Sequence, residues 1–290
     1  MKEMIPMYNK NIGLVLEGGA MRGLFSTGVI DVMMEQGVTF DGLAGVSAGA
    51  AFGCNYKSGQ AGRAVRYNTR FCKDRRYCSM RSLLLTGNIF GAEFCYHTIP
   101  NELDPFDKDA FDASPMAFYV VCTDALTGKA VYHRCDKAGD DCYEWIRASA
   151  SMPLVSRPVV IGDSILLDGG IADSIPLGFM LREGYARNVV VLTQPRDFVK
   201  QPASLMGLMK LRLRKYPKLL EAVKHRHEDY NRSRELVFSQ EKQGSAFVIC
   251  PDEPLPIGRI EHDADTMRRV YQIGRETAER CMEELKRFLQ

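Results

Sequence analysis

Ser47 stands in the run Gly45-Val46-Ser47-Ala48-Gly49, between the small apolar stretch Phe40 to Val46 and a segment, Ala48 to Cys54, that reads as the start of a helix. A serine between glycines at a strand-to-helix turn is a nucleophile elbow. The chain turns too sharply for bulk two places either side, and the side chain is pushed out above the sheet. The chemistry of such a hydroxyl is attack on a carbonyl carbon, which needs a base for its proton and donors for the oxyanion that forms. Glu17-Gly18-Gly19-Ala20-Met21-Arg22-Gly23 is a candidate for the donors, because glycines let backbone N–H groups approach an anion and a following helix N-terminus adds partial positive charge. A dinucleotide fingerprint would need the G-x-G-x-x-G register, which this loop lacks, and an acid closing a second strand. A third candidate is Asp168, set after Ile165-Leu166-Leu167 and before Gly169-Gly170. A carboxylate at the end of an apolar run is not an ordinary surface group unless its strand is at an edge.

These residues need elements to hold them. Ile12 to Leu16 is a continuous apolar run of strand length, the glycine loop ends it, and Leu24 to Gln36 has helical spacing with Leu24, Val29, Val32 and Met33 on one face. Strand, glycine loop, helix, strand, serine elbow, helix is the opening of a parallel α/β sheet, whose loops converge on one crevice. Downstream, Met116 to Thr123 and Ala130 to His133 read as a hairpin, Cys142 to Ser151 as a helix, and Pro158 to Ile161 with Ser164 to Leu167 as a second strand pair delivering Asp168. A helix is expected over Pro176 to Glu183 and a strand over Asn188 to Thr193. There follow a short helix over Leu205 to Lys215 interrupted by Pro217, a long polar helix over Lys218 to Gln240, a strand over Ala246 to Cys250 and an amphipathic helix over Ala264 to Leu289. Between them, residues 57 to 113 have poor periodicity, high charge and interleaved aromatics, and read as a lid inserted over the crevice. No repeat, low-complexity tract or linker-like shift divides the chain, so 290 residues are expected to form a single domain: a core over about 11 to 195 and a helical C-terminal part over about 204 to 290.

The bulk composition excludes several classes. A net charge of +2, with 46% hydrophobic and 26% charged residues, is ordinary for a globular protein and gives no reason to invoke nucleic acid. Basic residues do cluster from Arg63 to Arg81, opposed only by Asp74, and again from Lys200 to Arg226. Nine cysteines at scattered spacings, with no CxxC, fit reduced thiols, and Cys122 and Cys250 sit inside apolar runs as small core residues. Met1 to Lys10 lacks the apolar core of a signal peptide, and no window approaches the roughly 20 apolar residues of a membrane span. The expectation is a cytoplasmic protein.

In order and context, Gly18-Gly19-Ala20-Met21-Arg22-Gly23, Gly45-Val46-Ser47-Ala48-Gly49 and Asp168-Gly169-Gly170 resemble the patatin-like phospholipase family, whose pattern is G-G-G/A-x-R/K-G, G-x-S-x-G and D-G-G/A. Arg147 to Pro153 and Asp173-Ser174-Ile175-Pro176 look like the family's segments flanking the aspartate strand, and the resemblance covers roughly residues 11 to 195. Ala20 replaces a third glycine, and Glu17 stands where many members have aspartate. The resemblance implies a three-layer α/β/α sandwich with a mostly parallel sheet. It also implies a Ser-Asp dyad with Ser47 as nucleophile and Asp168 as base, an oxyanion hole around Gly18, Gly19 and Ala20, and Arg22 bracing that loop. The implied activity is hydrolysis of carboxylic esters of phospholipids or related lipids, with neither metal nor organic cofactor. Separately from the resemblance, the basic lid and the Leu205 to Lys218 segment are expected to make a peripheral contact with a membrane surface. An aspartate is a weak base at its usual pKa near 3.9 unless desolvation raises it, which an apolar approach strand and a lid could do.

Three other readings remain open on residues alone. An α/β-hydrolase would use a Ser-Asp-His triad, with Asp168 and His262 as candidates, although the elbow follows only one βα unit. The other histidines, His97, His133, His225 and His227, are expected to be structural, and the last two do not share a helix face for metal binding. A lipid-binding or partner-binding protein would keep the motifs without turnover. A nucleic-acid binder would use Arg63 to Arg81 and show steeply salt-dependent affinity.

Overall fold

A computed structural model describes residues 12–290, so the N-terminal segment Met1 to Lys10 lies outside the described residues. The first half runs β1 (Ile12–Leu16), α1 (Gly23–Glu35), β2 (Gly42–Val46), α2 (Ala48–Lys57), α3 (Arg63–Phe71), α4 (Met80–Thr86), a π-helix over Phe94–Leu103, and α5 (Lys108–Ala113). Then come β3 (Ala117–Asp124), β4 (Ala130–Arg134), α6 (Asp140–Ser149), β5 (Val159–Ile161), β6 (Ser164–Asp168), α7 (Leu177–Arg182) and β7 (Arg187–Val191). The chain closes with α8 (Met206–Arg212), α9 (Pro217–Lys242), β8 (Ala246–Ile249) and α10 (Ala264–Leu289).

The sheet order is β5-β6-β3-β2-β1-β7-β8, with β4 also paired to β3. The five strands from β3 to β8 are mutually parallel, whereas β4 and β6 are antiparallel to β3, and β5 to β6. A central parallel strand is covered on both faces, which is why β1 reads as an unbroken apolar run. Leu14, Leu16 and Leu43 pack toward a layer that includes Leu24, Phe25 and Met33 of α1 and Met267, Val270 and Leu285 of α10. Val15, Ala44 and Val190 pack toward the opposite layer, built from Leu177, Phe179 and Met180 of α7 and Tyr230 and Val237 of α9. The result is a three-layer α/β/α sandwich.

Residues 57 to 113, expected as a lid, are integral to the core. Phe71, Tyr77, Ile89, Phe94, Ile99, Phe106 and Phe111 are buried in the same cluster as the central strands. Their irregular spacing follows from a π-helix and short helices, which do not repeat every 3.6 residues, and the rings meet edge to face, as in Phe71–Phe94 at 5.4 Å. The basic stretch is likewise not a uniform solvated face. Arg63 is only 4% exposed and ion-paired to Asp104, both forks of Arg66 reach the same carboxylate at 2.8 Å, and Arg70 donates to the Leu103 carbonyl. The compensating acid lies some forty residues on, beyond any local reading of charge. Pro217 occupies the first turn of α9, where its missing N–H costs nothing.

Candidate active site

Ser47 takes φ 55° and ψ −119°, a conformation costing an ordinary residue of order 1–3 kcal/mol that persists only where its surroundings over-determine it. They do. A Cβ on Gly45 would lie 2.6 Å from the Gly49 carbonyl oxygen, and one on Gly49 would lie 2.4 Å from that of Leu16, so the turn can be this tight only with both glycines. The Ser47 amide donates to Ser149 Oγ at 2.8 Å, and that hydroxyl donates on to the Val121 carbonyl at 2.5 Å. The Ser47 carbonyl accepts from the amides of Ala50 and Ala51 at 3.0 Å each, which starts α2.

The position of Asp168 follows from strand register. On one edge, β3 pairs with β2 as far as Val121↔Val46, and at the next residue the same edge passes to β6, with Cys122↔Asp168. β4 occupies the other edge. The end of β6 therefore continues the line of β2, and Asp168 stands where the chain leaves β2 at Ser47. Ser47 Oγ donates to Asp168 Oδ2 at 2.8 Å, the pair 7% and 5% exposed. The Gly170 amide donates to the other carboxylate oxygen at 2.8 Å, and the Asp168 amide donates to the Ser151 carbonyl at 2.9 Å. Gly169 admits no side chain, because a Cβ there would sit 2.0 Å from the Val121 carbonyl oxygen. Burial pushes the Asp168 carboxyl above its usual range, opposed by the positive charge of Arg226, the Ser47 hydroxyl, the Gly170 amide and Arg259.

The glycine loop passes directly against the elbow. A Cβ on Gly18 would lie 3.2 Å from that of Ser47 and one on Gly23 would lie 2.8 Å from that of Ala48, while Ala20 takes φ 50°. Glu17 anchors the loop: its buried carboxylate accepts from the Thr193 amide at 2.5 Å and the Tyr230 hydroxyl at 2.6 Å, which ties β1, the end of β7 and α9 together. Arg22, expected to brace the loop, donates its backbone amide to the Gly19 carbonyl at 3.2 Å, and among the described residues the Nε of its side chain is buried without a partner.

From Ser47 an apolar cavity of about 120 Å³ runs between α2 and the segment 57 to 113, past Met21, Phe52, Tyr67, Tyr96, Ile99 and Met152. The histidines lie elsewhere. His262 contacts the Cys72 carbonyl, His133 stacks on Trp145, His97 faces Glu144 and Asp140, and His225 and His227 engage their own helix. Among the described residues no group of three or more His, Cys, Asp or Glu could hold a metal ion. Sequence reasoning gave no role to Ser149, Thr193, Tyr230 or Arg226. The only sequence signal for Ser149 is its place in the alanine and serine-rich segment. Tyr230 shares an inward stripe with Leu219, Val223, Arg234 and Val237 on a helix whose overall polarity hides it.

The described elbow, aspartate turn and glycine loop coincide with a match to the Patatin-like phospholipase family model over residues 14–181, more than half of the chain. The chain belongs to the patatin-like phospholipase family. Residues 216–290 match a domain of unknown function, DUF6363, so α9 and α10 fall in a region to which that match gives no activity. An uncharacterized protein of Escherichia coli, YjjU, is 28% identical over 281 residues, covering 93% of this chain and 76% of its own. The uncharacterized NTE family protein Rv2565 of Mycobacterium tuberculosis is 27% identical, covering 69% of this chain and 33% of its own. Lysophospholipase nte1 of Aspergillus niger is 27% identical over 176 residues, covering 59% of this chain and 11% of its own. Among solved structures, VipD from Legionella pneumophila superposes with a TM-score of 0.48 at 14% identity, covering 95% of this chain and 67% of its own.

Proposed function

We propose that this protein is a serine acyl hydrolase that cleaves carboxylic esters of phospholipids or related lipids. One observation carries the reading. A serine hydroxyl held in a strained elbow and lining an apolar cavity donates at 2.8 Å to a buried carboxylate. Asp168 takes the hydroxyl proton as Ser47 Oγ bonds to the carbonyl carbon, and the oxygen that becomes negative is received by backbone N–H groups of the Gly18 to Ala20 loop. The leaving alkoxide departs with the proton from Asp168. The same carboxylate then deprotonates the water that attacks the acyl-enzyme, releasing the fatty acid and restoring Ser47. A positioned base contributes typically 10² to 10⁴ and each oxyanion donor about 10² to 10³. The cavity supports a lipid acyl chain as the group transferred, since its lining is mostly apolar.

Substrate with long acyl chains is met at a lipid surface. Among the described residues no helix is long and apolar enough to cross a membrane. The reading is tested by fluorophosphonate labelling of folded protein and by hydrolysis of a panel of short and long acyl esters and phospholipids. Labelling that disappears in Ser47→Ala, and turnover lost in Asp168→Asn, are expected. Lipid binding without labelling would replace the hydrolase with a binding protein. Loss of hydrolysis in a folded histidine-to-alanine variant would replace the dyad with a triad.

A further inference from the structure

On the side of the dyad away from the apolar cavity, four cations converge from four parts of the chain. Arg226 of α9 lies over the aspartate turn: its Nε donates to the Gly170 carbonyl, and its Nη2 is 3.2 Å from where a Cβ on Gly170 would be. Lys200, in the loop before α8, has its backbone fixed by reciprocal hydrogen bonds with the side chain of Asn231. Its Nζ lies 4.3 Å over the ring of Tyr230, whose hydroxyl holds Glu17. Arg22 follows the glycine loop, its Nε buried and unpartnered. Arg259, exposed in the loop before α10, is an electrostatic neighbour of Asp168, Arg22, Lys200 and Arg226 alike. Among the described residues none of the four is in an ion pair or donates to a carboxylate.

Carboxylates nearby are Asp168 and Glu17, both buried and both occupied. Like charges gathered in a partly desolvated place repel, and the ammonium of Lys200 responds: burial, then Arg226, pull it down to about 7. Burial also lowers Arg226 and Arg22. A multi-oxygen anion would offer acceptors to several donors at once, which is the geometry guanidinium forks and a lysine ammonium suit.

Building on the hydrolase reading, we propose that Arg22, Lys200, Arg226 and Arg259 form an anion subsite for a phosphate group beside the dyad. The ester carbonyl at Ser47 would then lie between an apolar cavity for the acyl chain and a cationic ledge for the phosphate of the alcohol portion. The subsite assigns the C-terminal region a task, since Arg226 and Arg259 both lie within it.

Calorimetry with inorganic phosphate tests the site without turnover, using Ser47→Ala so that binding is read whether or not the protein hydrolyses esters. Binding is expected to weaken between about ten- and a hundredfold in Lys200→Gln and in Arg259→Gln, the loss of one charge-assisted contact, and to be retained in Lys200→Arg. Equal phosphate binding by all four proteins, or no binding by any, overturns the subsite. The source of the phosphate is read in the active protein as the ratio of kcat/KM for a lysophospholipid to that for the matching monoacylglycerol. A ratio that falls about tenfold in both glutamine variants identifies a lipid headgroup. An unchanged ratio alongside weakened phosphate binding identifies free phosphate.

Discussion

At the scale of single residues, the proposed chemistry depends on one carboxylate whose proton affinity is set by opposing influences. Burial raises Asp168 above the ordinary 3.8, while Arg226, the Ser47 hydroxyl, the Gly170 amide and Arg259 pull it back. A general base works deprotonated, so kcat/KM for an uncharged ester should fall as pH drops through this raised value, giving an acid limb above 3.8. Arg226→Gln removes a charge that favours the carboxylate, and the limb should move to higher pH. A limb that stays put would separate Arg226 from the base. The linkage has the opposite sign from a salt-bridged acid. Because the folded pKa is raised, the ionised group costs stability above that value, and the cost disappears as pH falls below the unfolded one. Asp168→Asn is therefore expected to lose about 10² to 10⁴ in rate without losing stability to urea at neutral pH. Ser149 acts through position: it accepts from the Ser47 amide and donates to the Val121 carbonyl. Ser149→Ala leaves both buried groups unmatched and should cost about 1–3 kcal/mol in urea unfolding together with a lower kcat, whereas Ser149→Thr, which keeps the hydroxyl, should retain more of both.

At the scale of elements, the sheet was readable because its strands are apolar on both faces and bounded by glycine loops, so β1, β2 and the hairpin of β5 and β6 stand out in the residue pattern. The approach of Ser47 to Asp168 was readable only through resemblance, since it rests on β3 exchanging β2 for β6 at Cys122, and pairings as distant as Val46 with Val121 and Cys122 with Asp168 leave no local trace. The core packing of residues 57 to 113, which read as a lid, was hidden because π-helical and short helical segments break the 3.6-residue repeat, and because the partner of Arg63 and Arg66 is the distant Asp104. Nor does the pattern disclose how closely α1 and α10 cross. A Cβ on Gly28 would lie 2.1 Å from the Tyr271 carbonyl oxygen, and one on Gly274 would lie 2.0 Å from that of Phe25, so backbone meets backbone at a pair of glycines. Asp31 closes the same seam, accepting from the Tyr271 hydroxyl and the Gly62 amide at 2.9 Å each. Gly274→Ala is expected to wedge the helices apart and cost about 1–3 kcal/mol by urea unfolding, with no change in the pH profile of the residual activity. A neutral result would mean that the helices part without loss.

At the scale of the molecule, one face gathers apolar side chains that the core does not use. In α4, Leu84 and Leu85 are 81% and 71% exposed, and no residue of α8 is buried, with Leu205, Leu208 and Leu211 all pointing outward. β5 and β6 connect the two. The Ile89 amide bonds the Val155 carbonyl and the Arg157 amide bonds Asn88, the exposed Val160 pairs with Ile165, and Ile165, Met206 and Met209 all pack against the buried cluster that includes Leu167 and Leu213. α4 is carried between Tyr77 and Phe90, which both line the cavity leading to Ser47, so this face adjoins the route an acyl chain would take. Arg81, Lys210, Arg212, Arg214 and Lys215 fringe it, all exposed. Apolar side chains edged with cations match the boundary between lipid tails and anionic headgroups, where each basic residue near the surface contributes about 1 kcal/mol. The full chain should therefore float with vesicles of mixed phosphatidylcholine and phosphatidylserine, more than with phosphatidylcholine alone, and raised salt should weaken the difference. Leu84→Ser with Leu85→Ser, and separately Leu208→Ser with Leu211→Ser, should each reduce flotation severalfold and slow hydrolysis of vesicle-borne lipid. Hydrolysis of a short, monomeric ester should persist, because these side chains lie outside the cavity lining. Undiminished flotation in both double variants would place the contact on another face.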